Sequence, residues 1–219
     1  MEFTVTGVGV LDKAVSILDV LESGPHSLAG LVDATGLSRA TAHRLARALE
    51  DHGLVRRDDE GRFALGVRLL ALGRCAAASF PLAATAGPAL AELRDATGES
   101  VQLYVRDGDR RVCVAALESP HGLRTIVPLG ASLPMEVGSA ARLLRSDAAA
   151  LARGWSESVA EREAGVASVS APVLDSSGSV VAAVSVSGPI ERTTRAPGRR
   201  YARAVRAAAA RVERDAGLR

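Results

Sequence analysis

Arg39, Thr41, Arg44 and Arg47 lie close together in the run SRATAHRLARALEDHG, with Ser38 and His43 among them. A guanidinium can donate paired hydrogen bonds to O6 and N7 of guanine, or to a phosphate, and threonine can touch a thymine methyl. Such chemistry needs these side chains on one face of one element. Helical spacing supplies it. Leu37, Ala42, Leu45, Ala46 and Leu49 recur on an inner face, which leaves Arg39, Ala40, His43, Arg44 and Arg47 opposite, with Thr41 at the boundary. Ser38 is placed to cap the helix by accepting a bond from an amide of its first turn. An ordinary amphipathic helix with a solvated arginine face would have the same pattern, so its flanks decide what it means.

Upstream, Ser27 can cap a short helix whose buried stripe is Leu28, Leu31 and Val32, and Thr35-Gly36 stops it. Before that, Leu11, Val15, Leu18 and Leu21, with Ile17 beside them, predict an inward stripe on a first helix ended by Gly24-Pro25. Downstream of Gly53, Leu54–Arg57 and Arg62–Leu65 flank Asp58-Asp59-Glu60-Gly61 as two strands around a turn. The order helix, turn, helix, hairpin is that of a winged helix-turn-helix, which lays its second helix in the major groove of double-stranded DNA. Arg56, Arg57 and Arg62 then stand where a wing meets phosphates. The acidic tip would repel the backbone, so contacts are expected from the wing's flanks.

Composition neither announces nor forbids this. The net charge is +2 over 219 residues, and up to Arg74 nine Lys/Arg face ten Asp/Glu. The basic groups are instead concentrated locally: Arg39, Arg44, Arg47, Arg56 and Arg57 are opposed only by Glu50 and Asp51 between Ser38 and Arg57. Lys13 is the only lysine, so every other fixed cation is an arginine, the better group for paired contacts. Cys75 and Cys113 form no C-x-x-C pair and the four histidines are scattered, so no metal site and no cofactor is expected. Both cysteines read as reduced and buried. No signal peptide and no apolar run of about 18 residues is legible, so no membrane partner is expected and the location is the cytoplasm.

Val67, Leu69, Leu70 and Leu72 and the following alanines predict a linker helix to Ser79, broken by Pro81. A second helix runs to Thr97. The expected organisation is a DNA-binding domain over 1–66, a linker helix over 67–80 that can pair with its copy in a dimer, and a C-terminal domain over 81–219. Strands are expected at Ser100–Arg106 and Arg111–Leu117 around Asp107-Gly108-Asp109, at Leu123–Val127, and at Gly165–Val173 and Val180–Gly188 around Asp175-Ser176-Ser177-Gly178. A last helix turns Tyr201, Val205, Ala208 and Val212 inward, with Arg199, Arg200, Arg203 and Arg206 in solvent. This makes the C-terminal part a mixed α/β unit with an antiparallel sheet and the whole chain α+β. No nucleophile–base pair, phosphate loop or carboxylate dyad stands out, so no catalytic residue is assigned. Serine recurs on the strands at Ser168, Ser170, Ser185 and Ser187. Residues two apart share a face. Their hydroxyls would either line a pocket for a small polar molecule or bond nearby backbone as small core residues.

The runs GVLDKAVSILDVLE, GLSRATAHRLARALEDHGLV, RFALGVRLLALG, ATGESVQLYVRDG, LPMEVGSAARLL, RGWSESVAEREAGVASVSAPV and VVAAVSVSGPIER resemble, in order and spacing, the IclR family of bacterial transcription regulators. The last two are similar to its actinobacterial branch linked to amino-acid metabolism and leucine biosynthesis. The resemblance implies a winged helix-turn-helix, a linker helix and a GAF-like effector-binding domain. It implies a homodimer, or a dimer of dimers, on operator DNA, responding to a small-molecule effector such as an organic acid or an amino-acid-related compound. Carried onto this chain, the effector pocket would comprise Leu133, Ser139, Ala140, Ser158, Val166, Ser168 and Ser185. The family often has an acidic residue where Ser158 stands, a cysteine where Ser168 stands, and a longer helical stretch between Leu144 and Arg153. Two other readings remain open on the residues alone: a small-molecule enzyme with a helix-turn-helix docking module, and a redox regulator using Cys75 or Cys113.

Overall fold

A computed structural model describes residues 6–78 and 80–219 of the chain, which divides into two compact units at Ala76/Ala77. Ser79, the expected end of the linker helix, lies outside the described residues.

The N-terminal unit begins with α1 (Gly9–Leu21), α2 (Leu28–Thr35) and α3 (Arg39–Asp51). Ser27 Oγ accepts from Gly30 N at 3.1 Å and Ser38 Oγ from Thr41 N at 3.3 Å, so both expected caps are formed. Gly36 closes α2 at φ 68°, a left-handed conformation that glycine adopts without strain. β1 (Val55–Arg57) and β2 (Phe63–Leu65) pair antiparallel as the wing, and His26 extends it through paired backbone hydrogen bonds with Phe63. Ile17, Leu31, Leu45, Leu49, Val55 and Phe63 meet in one core. The inward face of α1 differs from the expected stripe. Ser16, Ile17, Val20 and Leu21 are buried, whereas Leu11 and Val15 point to the surface. The helix carries apolar side chains on more than one face, and only one of those faces meets α2 and α3. From the wing, α4 (Arg68–Ala78) leads out of this unit.

The C-terminal unit opens with α5 (Pro81–Thr97), ended by Gly98 at φ 71°. Its sheet consists of β3 (Ser100–Asp107), β4 (Arg110–Leu117), β5 (Ser132–Pro134), β6 (Ser156–Val159), β7 (Val166–Leu174) and β8 (Val180–Pro189) in the order β5-β4-β3-β8-β7-β6. Every pairing is antiparallel. Between β5 and β6 lie α6 (Ser139–Leu144) and α7 (Ala148–Arg153), and α8 (Ile190–Thr193) and α9 (Pro197–Asp215) end the chain. Leu123–Val127, expected as a strand, is irregular: Val127 is buried while Leu123 and Ile126 stand in solvent, and β4 pairs with β5 instead.

Strand alternation gives the sheet two chemically different faces. Val101, Leu103, Val169, Ala171, Val184 and Val186 pack with Leu90 and Leu93 of α5 and Tyr201, Val205 and Val212 of α9 in the main core. The other face carries serine. The register aligns Ser156, Ser170, Ser185 and Gln102 across four strands, and Ser158, Ser168, Ser187 and Ser100 in a second row. One face therefore forms the main core, and the other combines these polar rows with a smaller apolar cluster that includes Tyr104, Ala183 and Leu143.

Candidate nucleic-acid interface and ligand cavity

On α3, Ala42, Leu45, Ala46 and Leu49 are buried in the helix-turn-helix core. Arg39, Ala40, His43, Arg44 and Arg47 are exposed and Thr41 is half-buried, as the helical spacing requires. Arg39, His43 and Arg44 make no hydrogen bond or ion pair with any described residue. Ser38 and Thr41 share a hydroxyl–hydroxyl bond of 2.9 Å at the helix start. Arg47 pairs with Glu50 at 3.1 Å, on the solvent side.

The wing arginines divide into two kinds. Arg57 donates to Gly61 O at 2.6 Å and stacks its guanidinium 3.6 Å from the centroid of the Phe63 ring. Arg62 pairs with Asp58 at 2.8 Å and Glu60 at 3.1 Å. Asp58 also accepts the backbone N–H groups of Glu60 and Arg62, so it serves as the internal acceptor of the turn. The acidic tip is thereby largely paired within the wing, and Arg57 and Arg62 shape that wing. Arg56 is exposed, with only a 3.5 Å contact to Arg57 O.

In the C-terminal unit a cavity of about 40 Å³ lies on the serine face of the sheet. Ser139, Ala140, Ser158, Val166, Ser168 and Ser185 all line it; Leu133, on β5, does not and packs in the small core around Cys113, Val127 and Leu143. The serines bond one another rather than nearby backbone. Ser139 Oγ lies 2.8 Å from Ser168 Oγ and 2.7 Å from Ser170 Oγ, and Ser170 donates to Ser185 at 2.9 Å. Ser187 donates to Gln102 Oε1 at 3.1 Å. Partial burial would raise the Glu161 carboxyl, but bonds from Arg142, the Gly138 N–H and Ser158 outweigh it and hold the carboxyl below the usual range. Glu161 thus fixes the start of α6 beside the cavity as an anion.

Ser187, one of the strand serines expected to line a pocket or pack as core, is in the lining, whereas sequence reasoning missed Tyr104, Arg111, Val127, Gly138, Arg162 and Glu163, which complete it. The strand period held part of the signal. Tyr104 lies two residues from Gln102, which the register sets opposite Ser185. Arg111 at the end of a hairpin reads as a solvent-facing flank, yet it is 4% exposed.

Cys75 is exposed and Cys113 is buried. Burial pushes the Cys113 thiol up to about 11, so at neutral pH it carries no appreciable thiolate, the nucleophilic form. Cys113 in the folded chain is therefore expected to resist a disulfide reagent at pH 8 and to react within minutes once unfolded in guanidinium. Rapid native labelling, read by mass of the Cys113 peptide, would contradict this. Among the described residues no group of three His, Cys, Asp or Glu side chains is arranged to hold a metal, and no single helix is long and apolar enough to cross a membrane.

Two family models match the chain. The IclR helix-turn-helix domain covers residues 10–59, and the C-terminal domain of the bacterial transcriptional regulator IclR covers 75–150 and 141–214. The second match comes in two pieces that overlap at residues 141–150, across α6 and the start of α7. The glycerol operon regulatory protein of Streptomyces griseus is 32% identical over 243 aligned positions, covering 94% of this chain and 96% of that protein. The HTH-type transcriptional regulator KipR of Bacillus subtilis is 26% identical, covering 80% and 84%. Among solved structures, a putative transcriptional regulator of Rhodococcus sp. RHA1 superposes with a TM-score of 0.77 at 26% identity, covering 95% of this chain and 98% of its own. An IclR homolog of Microbacterium hydrocarbonoxydans, solved with 4-hydroxybenzoate, superposes with a TM-score of 0.79 at 19% identity and shares the fold, covering 94% and 98%.

Proposed function

Because the chain belongs to the IclR family of bacterial transcriptional regulators, we propose that it binds operator DNA through α3 and is switched by a small molecule held on the serine face of its C-terminal sheet. The observation that carries this reading is the unspent arginine face of α3. Arg39 and Arg44 are exposed cations with no partner among the described residues, on the helix that a winged helix-turn-helix offers to the major groove. In this reading Arg39, Thr41 and Arg44 read base edges. Ser38, His43, Arg47 and Arg56 meet the phosphate backbone, and Arg57 and Arg62 keep the wing in shape for it.

The chain acts as a homodimer or a dimer of dimers, since a helix-turn-helix reads two half-sites through two copies. Support comes from apolar side chains exposed on the N-terminal unit: Val8, Val10, Leu11 and Val15 at α1, and Val67, Leu70 and Leu72 at α4. Single exposed apolar residues are commonplace, but a concentration of them marks a contact surface. The chain carries out no catalysis in this reading, and its curated relatives are named regulators and repressors. Control of leucine-type amino-acid biosynthesis rests on the runs RGWSESVAEREAGVASVSAPV and VVAAVSVSGPIER alone, and mapping bound sites across the genome would test it.

Regulation follows from linkage. A ligand that prefers one of two arrangements shifts operator affinity by the same factor by which DNA shifts ligand affinity. The coupling is expected to be about 1–3 kcal/mol, roughly 5- to 150-fold in affinity. A gel-shift titration of candidate metabolites on the chain's own upstream DNA tests this. An effector moves the midpoint within that range and comes back chemically unchanged. Conversion of the ligand during incubation would favour the enzyme reading instead.

A further inference from the structure

The exposed face of α3 is not uniformly polar. At about 100° per residue, Ala40 stands almost opposite the centre of the buried face formed by Ala42, Leu45, Ala46 and Leu49. It is therefore the residue of the first turn that faces most directly away from the core. Its neighbours on the exposed surface are His43 and Arg44, at the next turn of the helix. A shallow hollow opens beside it. Leu28 of α2 lines the hollow together with Arg39, Ala40 and His43 of α3, and its wall is mostly carbon. Leu28 is half-buried and packs against the helix-turn-helix core, which holds it in place. Arg39 in the wall and Arg44 beside it have no partner among the described residues.

Two features select the occupant. Unpaired arginines around an apolar hollow suit a polyanion with an apolar point on its surface. The hollow also continues the surface through which α3 is proposed to enter the major groove. Of the groups that mark the base pairs in that groove, the thymine 5-methyl is the apolar one; the others are hydrogen-bond donors and acceptors. A donor or acceptor pressed against Leu28 and Ala40 would lose its water and gain no hydrogen bond. A methyl gains by the same burial. We infer that Ala40 and Leu28 read a thymine methyl in each half-site, while Arg39 and Arg44 bond the polar edges beside it. The inference gives a specificity-determining role to the smallest side chain on the recognition face. Any longer side chain at position 40 would fill the hollow and hold the helix away from the bases.

This inference rests on the reading of α3 as the DNA-binding helix, and names a base feature that the helix selects. The probe is the tightest duplex that the full-length protein selects from a random-sequence pool, with each thymine in turn replaced by deoxyuridine. The two nucleotides differ only by the 5-methyl group. In wild type, one replacement per half-site is expected to weaken binding by about 4-fold, the worth of one buried methyl, and both together by about 15-fold. In Ala40→Gly the thymine and deoxyuridine duplexes are expected to bind equally at that position. The glycine also weakens the helix, but that loss is common to both duplexes and cancels in their ratio. Thr41→Ser removes the other methyl at the start of α3 and is expected to keep the wild-type ratio. If Ala40→Gly does not fold, Thr41→Ser decides: a kept ratio supports the inference and a lost one assigns the methyl to Thr41. A selected duplex with no methyl-sensitive thymine, or a ratio unchanged in Ala40→Gly, would overturn the inference and leave the DNA-binding reading standing. A pool that yields no preferred duplex would remove that reading, and this inference with it.

Discussion

Replacing Arg39 and Arg44 together by alanine is expected to erase most of the difference between operator and random DNA while leaving the fold intact. Both side chains are exposed, and neither bonds any described residue, so their loss leaves no buried group unpaired. A paired arginine–guanine contact discriminates by about 1–3 kcal/mol. Two such contacts together are worth about 2–6 kcal/mol, roughly 30-fold to 10⁴-fold in the specificity ratio if they add. The check is competition anisotropy, with labelled operator against unlabelled operator and unlabelled random duplex. A contact to phosphate alone behaves differently: Arg56→Ala is expected to weaken both duplexes alike and to reduce the salt slope by about one. An equal loss on both duplexes in the double variant would demote Arg39 and Arg44 to that class.

Gly66→Val is expected to break the N-terminal unit without touching any residue assigned to DNA. A Cβ at Gly66 would lie 2.1 Å from Gly53 O and 2.8 Å from the carbonyl carbons of Gly53 and Leu54. These are backbone atoms, and no side chain can swing aside to relieve the clash. The position is also pinned, because Gly66 N donates to Leu54 O at 2.8 Å where the wing returns to the helices. Overpacking usually costs about 1–3 kcal/mol; a fixed backbone clash belongs at or beyond the top of that range. Hydrogen exchange of α3 and the wing should rise sharply in this variant, with exchange in the β3–β8 sheet unchanged. Gly73→Ala is the control. A Cβ at Gly73 meets nothing within 4 Å, and the substitution favours a helix by about 1 kcal/mol. Wild-type-like exchange at Gly66→Val would mean that the wing base is looser than its hydrogen bonds indicate.

Much of this molecule was legible in its sequence, for identifiable reasons. The α3 face could be read because one amphipathic helix with a capped start leaves little choice of which side faces inward. α1 could be read only in part: Ile17, Leu18 and Leu21 turn to the core, but Leu11 and Val15 continue the same helical period and stay at the surface, while Val20 joins the core unannounced. Leu123–Val127 has the alternation of a strand, but among the described residues no strand pairs with it; Val127 packs with Cys113 and Leu143, and Thr125, nearby in sequence, is buried. β6, reading SESV, lacks the apolar signature of a strand altogether and exists because the edge of β7 accepts it. In the cavity, the serines of β7 and β8 were visible as a period-two pattern. Arg111 was not, since nothing in a hairpin sequence says that the arginine at its end turns inward beneath Gly138. Its place in the lining emerges only when β4 is brought against the segment that leads from β5 into α6, where Arg111 donates to Val137 O at 2.9 Å.

Sequence-specific recognition of DNA is most directly measured by the binding of the purified full-length protein to its own upstream region, at 150 mM salt, against an equal mass of shuffled duplex. Specific regulators exceed their nonspecific affinity by about 10³-fold or more at such salt, and a ratio of that order is the expected result. Equal affinity for the two duplexes, with the protein folded and every intergenic fragment of its genome giving the same answer, would contradict the assignment of α3 to the major groove.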